Sequence, residues 1–493
     1  MNDADLASET LTQPRRHNGA SLAAAMLLSA CGNSTTVVER VVPADAGAGG
    51  ATNGAVVPIP TVSPDALDLD TFGVVGNRYW LETSEEQVAR MNAPLVSGVR
   101  DRYTPLGAGP TFVDHLIVTS AGDTPQTADL GQVQVRLVGN TTSRAWTRET
   151  LPNFKLDADE FVPQNRIGGE EHLRLNNAVS GTIFREKLVY DLFNRLGYPA
   201  PRASFAWVSG SVWGPGIAVP YVVVESYKRP FCERHADQLG GECPNIWEFG
   251  TGDLYPGLLE DQENCQFSEC DTGRVVELEA LVAATAPGVG FKEALAEWVD
   301  WSAFHRYQCL SWALELADDN LRLSNVVLLE RGDGKFQYLP WSVDVSLTTE
   351  YGPVALAGDS SLALGCQADP QCWADTIVSC EAVLGELEAI SPVALLDDMR
   401  SVLDRAGMLR PGDDESYAAL REHLQLRLDE LPALLEQNRL APLPGIFCLP
   451  PFTECAPYCT LPERCAELFP PQVVGDASVA SDAGPSADAG IAE

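Results

Sequence analysis

Apolar and polar residues alternate along several short stretches in the first half of the chain. The segments HLIVTS at 115–120 and QVQVRLVGN at 132–140 have the two-residue period of β-strands with one buried face. FAWVSG at 205–210 and YVVVESY at 221–227 continue this pattern. The pattern predicts an N-terminal half rich in strands.

A helical period interrupts these strands and then dominates the second half. Apolar residues recur at helical spacing from Ile183 to Leu196, and Gly197 supplies a C-terminal stop, which predicts a helix over 181–196. A second helix is predicted over 291–316.

The segment SNVVLLERGDGKFQYLPW at 324–341 is typical of a β-hairpin that turns on Gly332, Asp333 and Gly334. From about residue 375 the chain is again helical, through YAALREHLQLRLDELPALLEQ. Strands first and helices afterwards predict an α+β fold with a strand-rich N-terminal lobe and a helical C-terminal lobe.

The first 31 residues have the features of an export signal. Arg15 and Arg16 precede an apolar stretch from Ala20 to Ala30, and Cys31 follows Leu-Ser-Ala. This order resembles a bacterial lipobox, in which the Cys is lipidated and becomes the mature N-terminus. A buried amphipathic helix is the alternative. The signal predicts a protein in the cell envelope or on the cell surface, held to the membrane through a lipid anchor only.

Composition sets the remaining boundaries. Residues 32–66 and 472–493 hold too few large apolar residues to offset their ordering entropy, which predicts a tether and a disordered tail. Between them we expect one large domain over 67–445 and a Cys-rich segment over 446–471.

The chain has 13 cysteines, and apart from Cys31 they form an even set of twelve. An even set outside the cytosol indicates disulfides, up to six, whose pairing the sequence leaves open. Zinc is the alternative, but the chain has no C-x-x-C pair and its 6 His are scattered along the sequence.

The charge of the chain excludes several classes of partner. With 33 Lys+Arg against 69 Asp+Glu, the formal net charge is −36 at pH 7. A field of that sign repels nucleic acid and anionic lipid, so neither is expected as a partner.

An acidic loop before the hairpin and an Asp after it suggest a metal site. Antiparallel pairing brings the end of the second strand back to the start of the first, so Asp344 is expected near Asn325 and near Asp318 and Asp319. Hard oxygen ligands of this kind suit Mg²⁺, which usually shares them with phosphate. Helix capping and turn formation are the alternative explanation for such residues.

Three segments resemble the spore-coat protein H (CotH) kinase family. VRLVGNTTSRAWTRETLPNFKLD at 135–157 resembles its R-G-N-S-S…K-x-S-Y-K-I-K stretch, and FREKLVYDLFNRLGYPAPRASFAWVSG at 184–210 resembles R-N-K-L-x-Y-D-L…G-x-P-A-P-R-x-x-F. DDNLRLSNVVLLERGDGKFQYLPWSVD at 318–344 is similar to D-S-Y-x-x-N-x-Y-L-Y…P-W-D-x-D. The resemblance implies an atypical protein-kinase-like fold that binds ATP and Mg²⁺ and transfers phosphate to Ser or Thr of an unidentified acceptor protein.

The resemblance also implies a role for each matching residue. Lys155 would contact the α- and β-phosphates, with Glu186 as its ion-pair partner, and Asn325 and Asp344 would hold magnesium. Asp318 or Asp319 would orient or deprotonate the acceptor hydroxyl. Two further nucleotide-binding candidates, for which a structural role is the alternative, are Arg202 and Glu225.

One departure from the family pattern bears on activity. Ser342 stands where the family has the first Asp of Asp-x-Asp, so one carboxylate is missing. A catalytically degenerate kinase fold that serves as a surface binding or scaffold module is therefore the alternative function. A secreted hydrolase has less support, because no Gly-x-Ser-x-Gly or His-Glu-x-x-His motif is present.

Overall fold

The computed structural model describes residues 75–440, apart from 94, 97–98, 101–109, 122–124, 140–143, 164, 179–181, 252–253, 255–264, 268–269, 323 and 349–353. Cys31 and the predicted signal, tether, Cys-rich segment and tail lie outside the described residues. Among the residues that the structure describes, we find no helical segment with the length and hydropathy of a membrane span.

A nine-stranded sheet dominates the N-terminal part, in the order β4-β7-β8-β9-β11-β10-β1-β5-β6. Its strands are β1 (Val75–Glu82), β4 (Phe112–Val113), β5 (His115–Thr119), β6 (Thr127–Asp129), β7 (Val133–Val138), β8 (Asn153–Asp157), β9 (His172–Asn176), β10 (Ala203–Gly210) and β11 (Ala218–Glu225). Neighbouring strands are antiparallel except β1 and β10, which are parallel. A two-stranded ladder of β2 (Leu95–Val96) and β3 (Val99–Arg100) lies outside this sheet.

The remaining elements are helices and a small sheet. The helices are α1 (Glu85–Asn92), α2 (Ile183–Arg195), α3 (Arg229–Arg234), α4 (Gly273–Ala284), α5 (Phe291–Ala294), α6 (Trp301–Ala313), α7 (Ser361–Ala368), α8 (Pro370–Ile390), α9 (Pro392–Arg405) and α10 (Asp413–Leu440). A three-stranded antiparallel sheet is formed by β12 (Asn245–Thr251), β13 (Ser324–Glu330) and β14 (Phe336–Tyr338). The predicted α+β fold, with strands first and a helical C-terminal part, is confirmed.

Two hydrophobic clusters pack against the large sheet. The strand cluster takes residues such as Leu116, Leu156 and Tyr221 from the sheet, together with Trp146. The helix cluster joins sheet residues such as Val222 to the apolar faces of the helices. Because successive side chains on a strand point to opposite faces, Val222 and Tyr221 serve different clusters from one strand.

The predicted hairpin is confirmed, with β13 and β14 paired antiparallel around a turn in which Gly334 has a φ of 79°. The single helix predicted over 291–316 is wrong, since α5 and α6 are separate. Between them Trp298 and Asp300 exchange backbone hydrogen bonds with Phe336 of β14 at 2.7 and 3.0 Å. The Asp300 carboxylate then accepts from the Ala303 amide at 3.0 Å and caps α6.

Eight cysteines form four disulfides within the described residues. The pairs are Cys232–Cys243, Cys265–Cys270, Cys309–Cys380 and Cys366–Cys372. The prediction of disulfides is confirmed for these eight, and the other four cysteines of the even set lie outside the described residues.

Candidate functional site

A row of three cationic side chains crosses the helix-facing side of the large sheet. Arg136 of β7 lies directly opposite Lys155 of β8, and Lys155 lies opposite Arg174 of β9. Residues in register share a face of the sheet, so the three side chains point the same way. We call Arg136, Lys155 and Arg174 the cationic row.

Lys155 is the member of this row without a direct partner. Within the described part of the chain, its ammonium group makes no hydrogen bond and no ion pair. Burial and then the Arg174 guanidinium lower the pKa of Lys155 to about 8. A bound anion would offset both effects, because it would restore to the ammonium group the interactions lost on burial.

Arg174 connects the row to the C-terminal part of the chain. Its guanidinium donates to Glu248 Oε1 of β12 at 2.8 Å and lies 4.3 Å above the ring of Trp341. Trp341 opens the Trp-Ser-Val-Asp segment after β14. The segment that carries Asp344 is therefore packed directly against the cationic row.

Glu186 lies on α2 beneath this segment and is buried. Its carboxylate accepts from Asn176 Nδ2 of β9 at 2.7 Å. Burial and then the negative charge of Asp344 raise the pKa of Glu186 to about 8. The predicted ion pair between Lys155 and Glu186 is not formed, since the described contacts of Glu186 are to Asn176 rather than to the ammonium group.

Asp344 lies in a short helical turn after the hairpin. The Ser342 hydroxyl donates to Asp344 Oδ1 at 3.3 Å, and the Arg185 guanidinium of α2 donates to the Asp344 carbonyl oxygen at 3.1 Å. Asp344 thus lies beside α2 and faces the same cleft as Glu186 and Arg174. This cleft, between the cationic row, α2 and the 341–344 segment, is the candidate site.

The two candidate bases differ in their surroundings. Asp319 is fully buried, and its carboxylate accepts hydrogen bonds from Ser311 and, at 3.2 Å, from the Tyr307 hydroxyl. Burial raises the pKa of Asp319. Asp318 is half-buried and makes no hydrogen bond or ion pair to another described residue. Of the two carboxylates, only that of Asp318 is accessible to a substrate hydroxyl.

Asn320 holds the base of the hairpin, a role that was not predicted from the sequence. Its amide donates to the Tyr307 hydroxyl at 2.6 Å and to the Leu339 carbonyl at 2.8 Å, and its oxygen accepts from the Val327 amide at 2.6 Å. Asn325, the predicted magnesium ligand, has a left-handed φ of 44° and is half-buried. Its approach to Asp344 stays a prediction.

Glu225 and Arg202, the two further nucleotide-binding candidates, take part in an ionic cluster, and their contact with a nucleotide stays a prediction. Glu225 is fully buried, its carboxylate pairs with Arg234, and it accepts from the Arg202 amide at 2.8 Å. Glu225 is in register with Leu173, on the opposite face of the sheet from Lys155. With Glu170, whose carboxylate binds Arg202, these residues form an ionic cluster in which the two glutamates are buried and the arginines are partly exposed.

Some polar residues of the cleft that were not predicted do have a signal in the sequence. The segments NFKLD of β8 and HLRLN of β9 alternate polar and apolar residues. Apolar residues at every second position predict one face in the core, and the remaining positions then share a polar face. This alternation places Arg174 and Asn176 on one polar face of β9, as it places Lys155 on that of β8.

The cleft and the fold define a protein with a strand-rich sheet, a helical C-terminal part and a cation-lined polar site between them. Residues 135–360 match the family model described as CotH kinase protein. The resemblance found in the sequence is thereby confirmed for this part of the chain, and it supports a kinase-fold protein.

Among solved structures, the chain is similar to a proinflammatory kinase of Helicobacter pylori, CtkA, at 13% sequence identity and a TM-score of 0.28. The similarity covers 59% of this chain and 95% of that chain. No curated protein matches the chain.

Proposed function

We propose that the protein binds Mg·ATP in the cleft between the cationic row and the 341–344 segment and transfers its terminal phosphate to a Ser or Thr hydroxyl of an acceptor protein. The observation that carries this proposal is Lys155, a half-buried cation without a hydrogen bond or ion pair to any other described residue. An ammonium group held between two arginines is suited to an anion such as phosphate.

The other side chains of the cleft support the same ligand. Arg174 is fixed by Glu248 and Trp341, so its position does not depend on the nucleotide. Asp344 would hold Mg²⁺, with Asn325 as a second oxygen ligand. A divalent cation there would also offset the repulsion between Asp344 and Glu186.

Asp318 is the proposed base, because its carboxylate is accessible whereas that of Asp319 is buried against Ser311 and Tyr307. A base must lie within hydrogen-bond reach of the proton that it removes. Asp319 then has a supporting role, since its backbone oxygen accepts from the amides of Arg322 at 2.9 Å and Ser324 at 3.1 Å.

A thermal-shift measurement with purified protein tests binding. A ligand at 100 times its dissociation constant stabilises the folded state by about 2.7 kcal/mol, so Mg·ATP should raise the melting temperature measurably. The shift should vanish in Lys155→Met and in Asp344→Ala, and should shrink when a chelator replaces Mg²⁺. Asp333→Ala is the matched control, because Asp333 is an exposed carboxylate at the turn of the same hairpin.

Phosphate transfer needs a separate readout. Radiolabelled ATP should label the protein itself or a generic acceptor such as casein, and Asp318→Asn should remove labelling while it keeps the Mg·ATP shift. An Asp318→Asn variant that labels as well as the wild type would contradict the assignment of the base. Absence of any wild-type shift at millimolar nucleotide would contradict the proposed function as a whole.

The second candidate function is a degenerate kinase fold that binds a partner without phosphate transfer. Ser342 favours it, because the side chain beside Asp344 is a hydroxyl rather than a carboxylate. Asn320 favours it too: the family motif has an Asp five residues before its Asn, and five residues before Asn325 is Asn320. A wild-type Mg·ATP shift without labelling would select this function.

We further propose an extracytoplasmic location with lipidated Cys31. Four disulfides within the described residues support an oxidising compartment, because thiols in the cytosol are kept reduced. The lipobox resemblance at Leu28-Ser29-Ala30-Cys31 supports the anchor.

A further inference from the structure

Three metal-ligating side chains converge one step along the sheet from Lys155. Asp157 ends β8, and it lies directly opposite His172 at the start of β9. Asp159 follows two residues later. One ligand atom from each of Asp157, Asp159 and His172 lies within 4.8 Å of the others. We call these residues the Asp–His cluster; they were not predicted from the sequence and have no part in the proposed function.

The ligand atoms of the cluster lie slightly farther apart than the ligands of one bound cation. His172 Nε2 lies 3.4 Å from Asp157 Oδ2 and 3.9 Å from Asp159 Oδ1. Adjacent ligands of one cation are about 3 Å apart when the bonds to the metal are roughly 2.1 Å long. A small rotation of Asp159, whose side chain is 29% exposed, would bring the third ligand to that distance.

Hydrogen bonding within the protein does not account for this arrangement. The Asp157 side chain is only 9% exposed, and its carboxyl group contacts the carboxyl group of Asp159. No N–H group of a described residue donates a hydrogen bond to Asp157. The His172 ring is 12% exposed. Its Nε2 faces the two carboxyl groups without forming a hydrogen bond. Its Nδ1 is buried and has no hydrogen-bond partner among the described residues. Two acidic side chains in contact, one of them nearly buried and both facing the His172 ring, point to a cation between them.

We propose that Asp157, Asp159 and His172 bind a divalent transition-metal cation, with two carboxylate oxygens and His172 Nε2 as ligands. Imidazole suits first-row transition metals such as Mn²⁺, Fe²⁺ and Zn²⁺, whereas Mg²⁺ is bound almost entirely through oxygen. The site is therefore selective for Mn²⁺ over Mg²⁺. It is distinct from the predicted magnesium ligands Asn325 and Asp344, and it does not depend on the proposed function.

The Asp–His cluster lies next to the cationic row on the same face of the sheet. Residues two apart on a strand are roughly 7 Å apart on the same face of a sheet, so the cation lies about that far from the backbone of Lys155. The phosphate-binding side of the cleft and this site are thus neighbours on one surface.

Binding of Mn²⁺ to chelator-treated, nucleotide-free protein tests the proposal. Added protein should decrease the electron paramagnetic resonance signal of free Mn²⁺, and the titration should give one tight site per chain. In competition, this site should bind Mn²⁺ at least tenfold more tightly than Mg²⁺. His172→Asn and Asp159→Asn should each weaken this site at least tenfold. Pulsed resonance of the bound ion should show coupling to an imidazole nitrogen in the wild type and lose it in His172→Asn.

Three comparisons make the result specific. His115→Asn is the matched control, because His115 Nδ1 lies 2.8 Å from Asp129 Oδ2 in an exposed pair that offers only two ligands. Asp344→Ala should leave the Mn²⁺ site intact, which separates it from the predicted magnesium site. Because the Asp159 side chain is partly exposed, Asp159→Asn should destabilise the fold less than a change at Asp157 or His172. The melting temperatures of the metal-free wild type and variants measure this effect.

Equal Mn²⁺ binding by wild type, His172→Asn and Asp159→Asn would overturn the proposal. So would a bound Mn²⁺ without nitrogen coupling, because the ion would then be held by other carboxylates of this acidic chain. Failure of the Mg·ATP shift described above would leave this result unaffected.

Discussion

Ser342 lies beside Asp344, the proposed magnesium ligand of the cleft. Its backbone is left-handed, at φ 55° and ψ 40°, and its hydroxyl donates to Asp344 at 3.3 Å. Asp tolerates the left-handed region better than most residues, so a carboxylate fits at this position. Ser342→Asp would place two carboxylates side by side, the arrangement that the family motif has.

We expect Ser342→Asp to bind Mg·ATP at least tenfold more tightly than the wild type, since a second hard, charged ligand favours Mg²⁺. Ser342→Asn is the control, because it has the same shape and tolerates the same backbone without the charge. Calorimetric titration of each variant with ATP at fixed Mg²⁺ gives the comparison. Equal affinities for the two variants would mean that the 341–344 segment does not hold the metal.

Single residues of the site were predicted with mixed success, and the reasons are physical. Lys155, Glu186 and Asp344 were chosen by resemblance and lie around one cleft. Glu225 lies on the opposite face of the sheet from Lys155, because one step along a strand reverses the face. Asp157 and His172 were missed, because their contact depends on the register of β8 and β9.

At the scale of elements, the disulfide between α6 and α8 joins distant parts of the chain. Cys309 and Cys380 are 71 residues apart in sequence, whereas Cys366 and Cys372 are 6 apart. All four side chains are buried in the helix cluster. The entropy that a crosslink removes from the unfolded chain grows with the length of the loop that it closes.

The double variant Cys309→Ala/Cys380→Ala should therefore lose about 4 kcal/mol of unfolding free energy, and Cys366→Ala/Cys372→Ala about 2 kcal/mol. The second variant is the matched control, because both remove two buried sulfur atoms from one cluster. Denaturant unfolding of the oxidised proteins measures both losses. Equal losses, or a larger loss for the short loop, would contradict the chain-entropy explanation.

The elements themselves were largely visible in the sequence. The helix α2 and the hairpin β13–β14 were predicted because periodicity, a Gly stop and a Gly-Asp-Gly turn are local signals. The break between α5 and α6 was missed, because it depends on two backbone hydrogen bonds with Phe336 of β14, whose amide donates to Trp298 and whose carbonyl accepts from Asp300. Local patterns do not report a bond to a strand almost forty residues further along.

At the scale of the whole molecule, the large sheet is shared by the two hydrophobic clusters. On β10, Phe205 belongs to the helix cluster and Ala206 to the strand cluster. On β11, Val222 and Val223 divide in the same way. If the shared strands unfold, apolar side chains of both clusters become exposed to water. We therefore expect the strand-rich and helical parts to unfold as one cooperative unit.

This sharing predicts that damage to one cluster lowers the stability of both. Leu116 on β5 is fully buried in the strand cluster, and Leu116→Ala should cost about 2–5 kcal/mol. Native-state hydrogen exchange should show this loss equally in the slowest amides of β1 and in those of α8 and α10, because these amides exchange only when the whole unit opens.

Leu424→Ala, on α10 and fully buried in the helix cluster, is the reciprocal variant and should lower protection in β1 by a similar amount. Unchanged protection in α8 and α10 after Leu116→Ala, or two separate calorimetric transitions, would show that the lobes unfold independently and that the shared strands do not couple them.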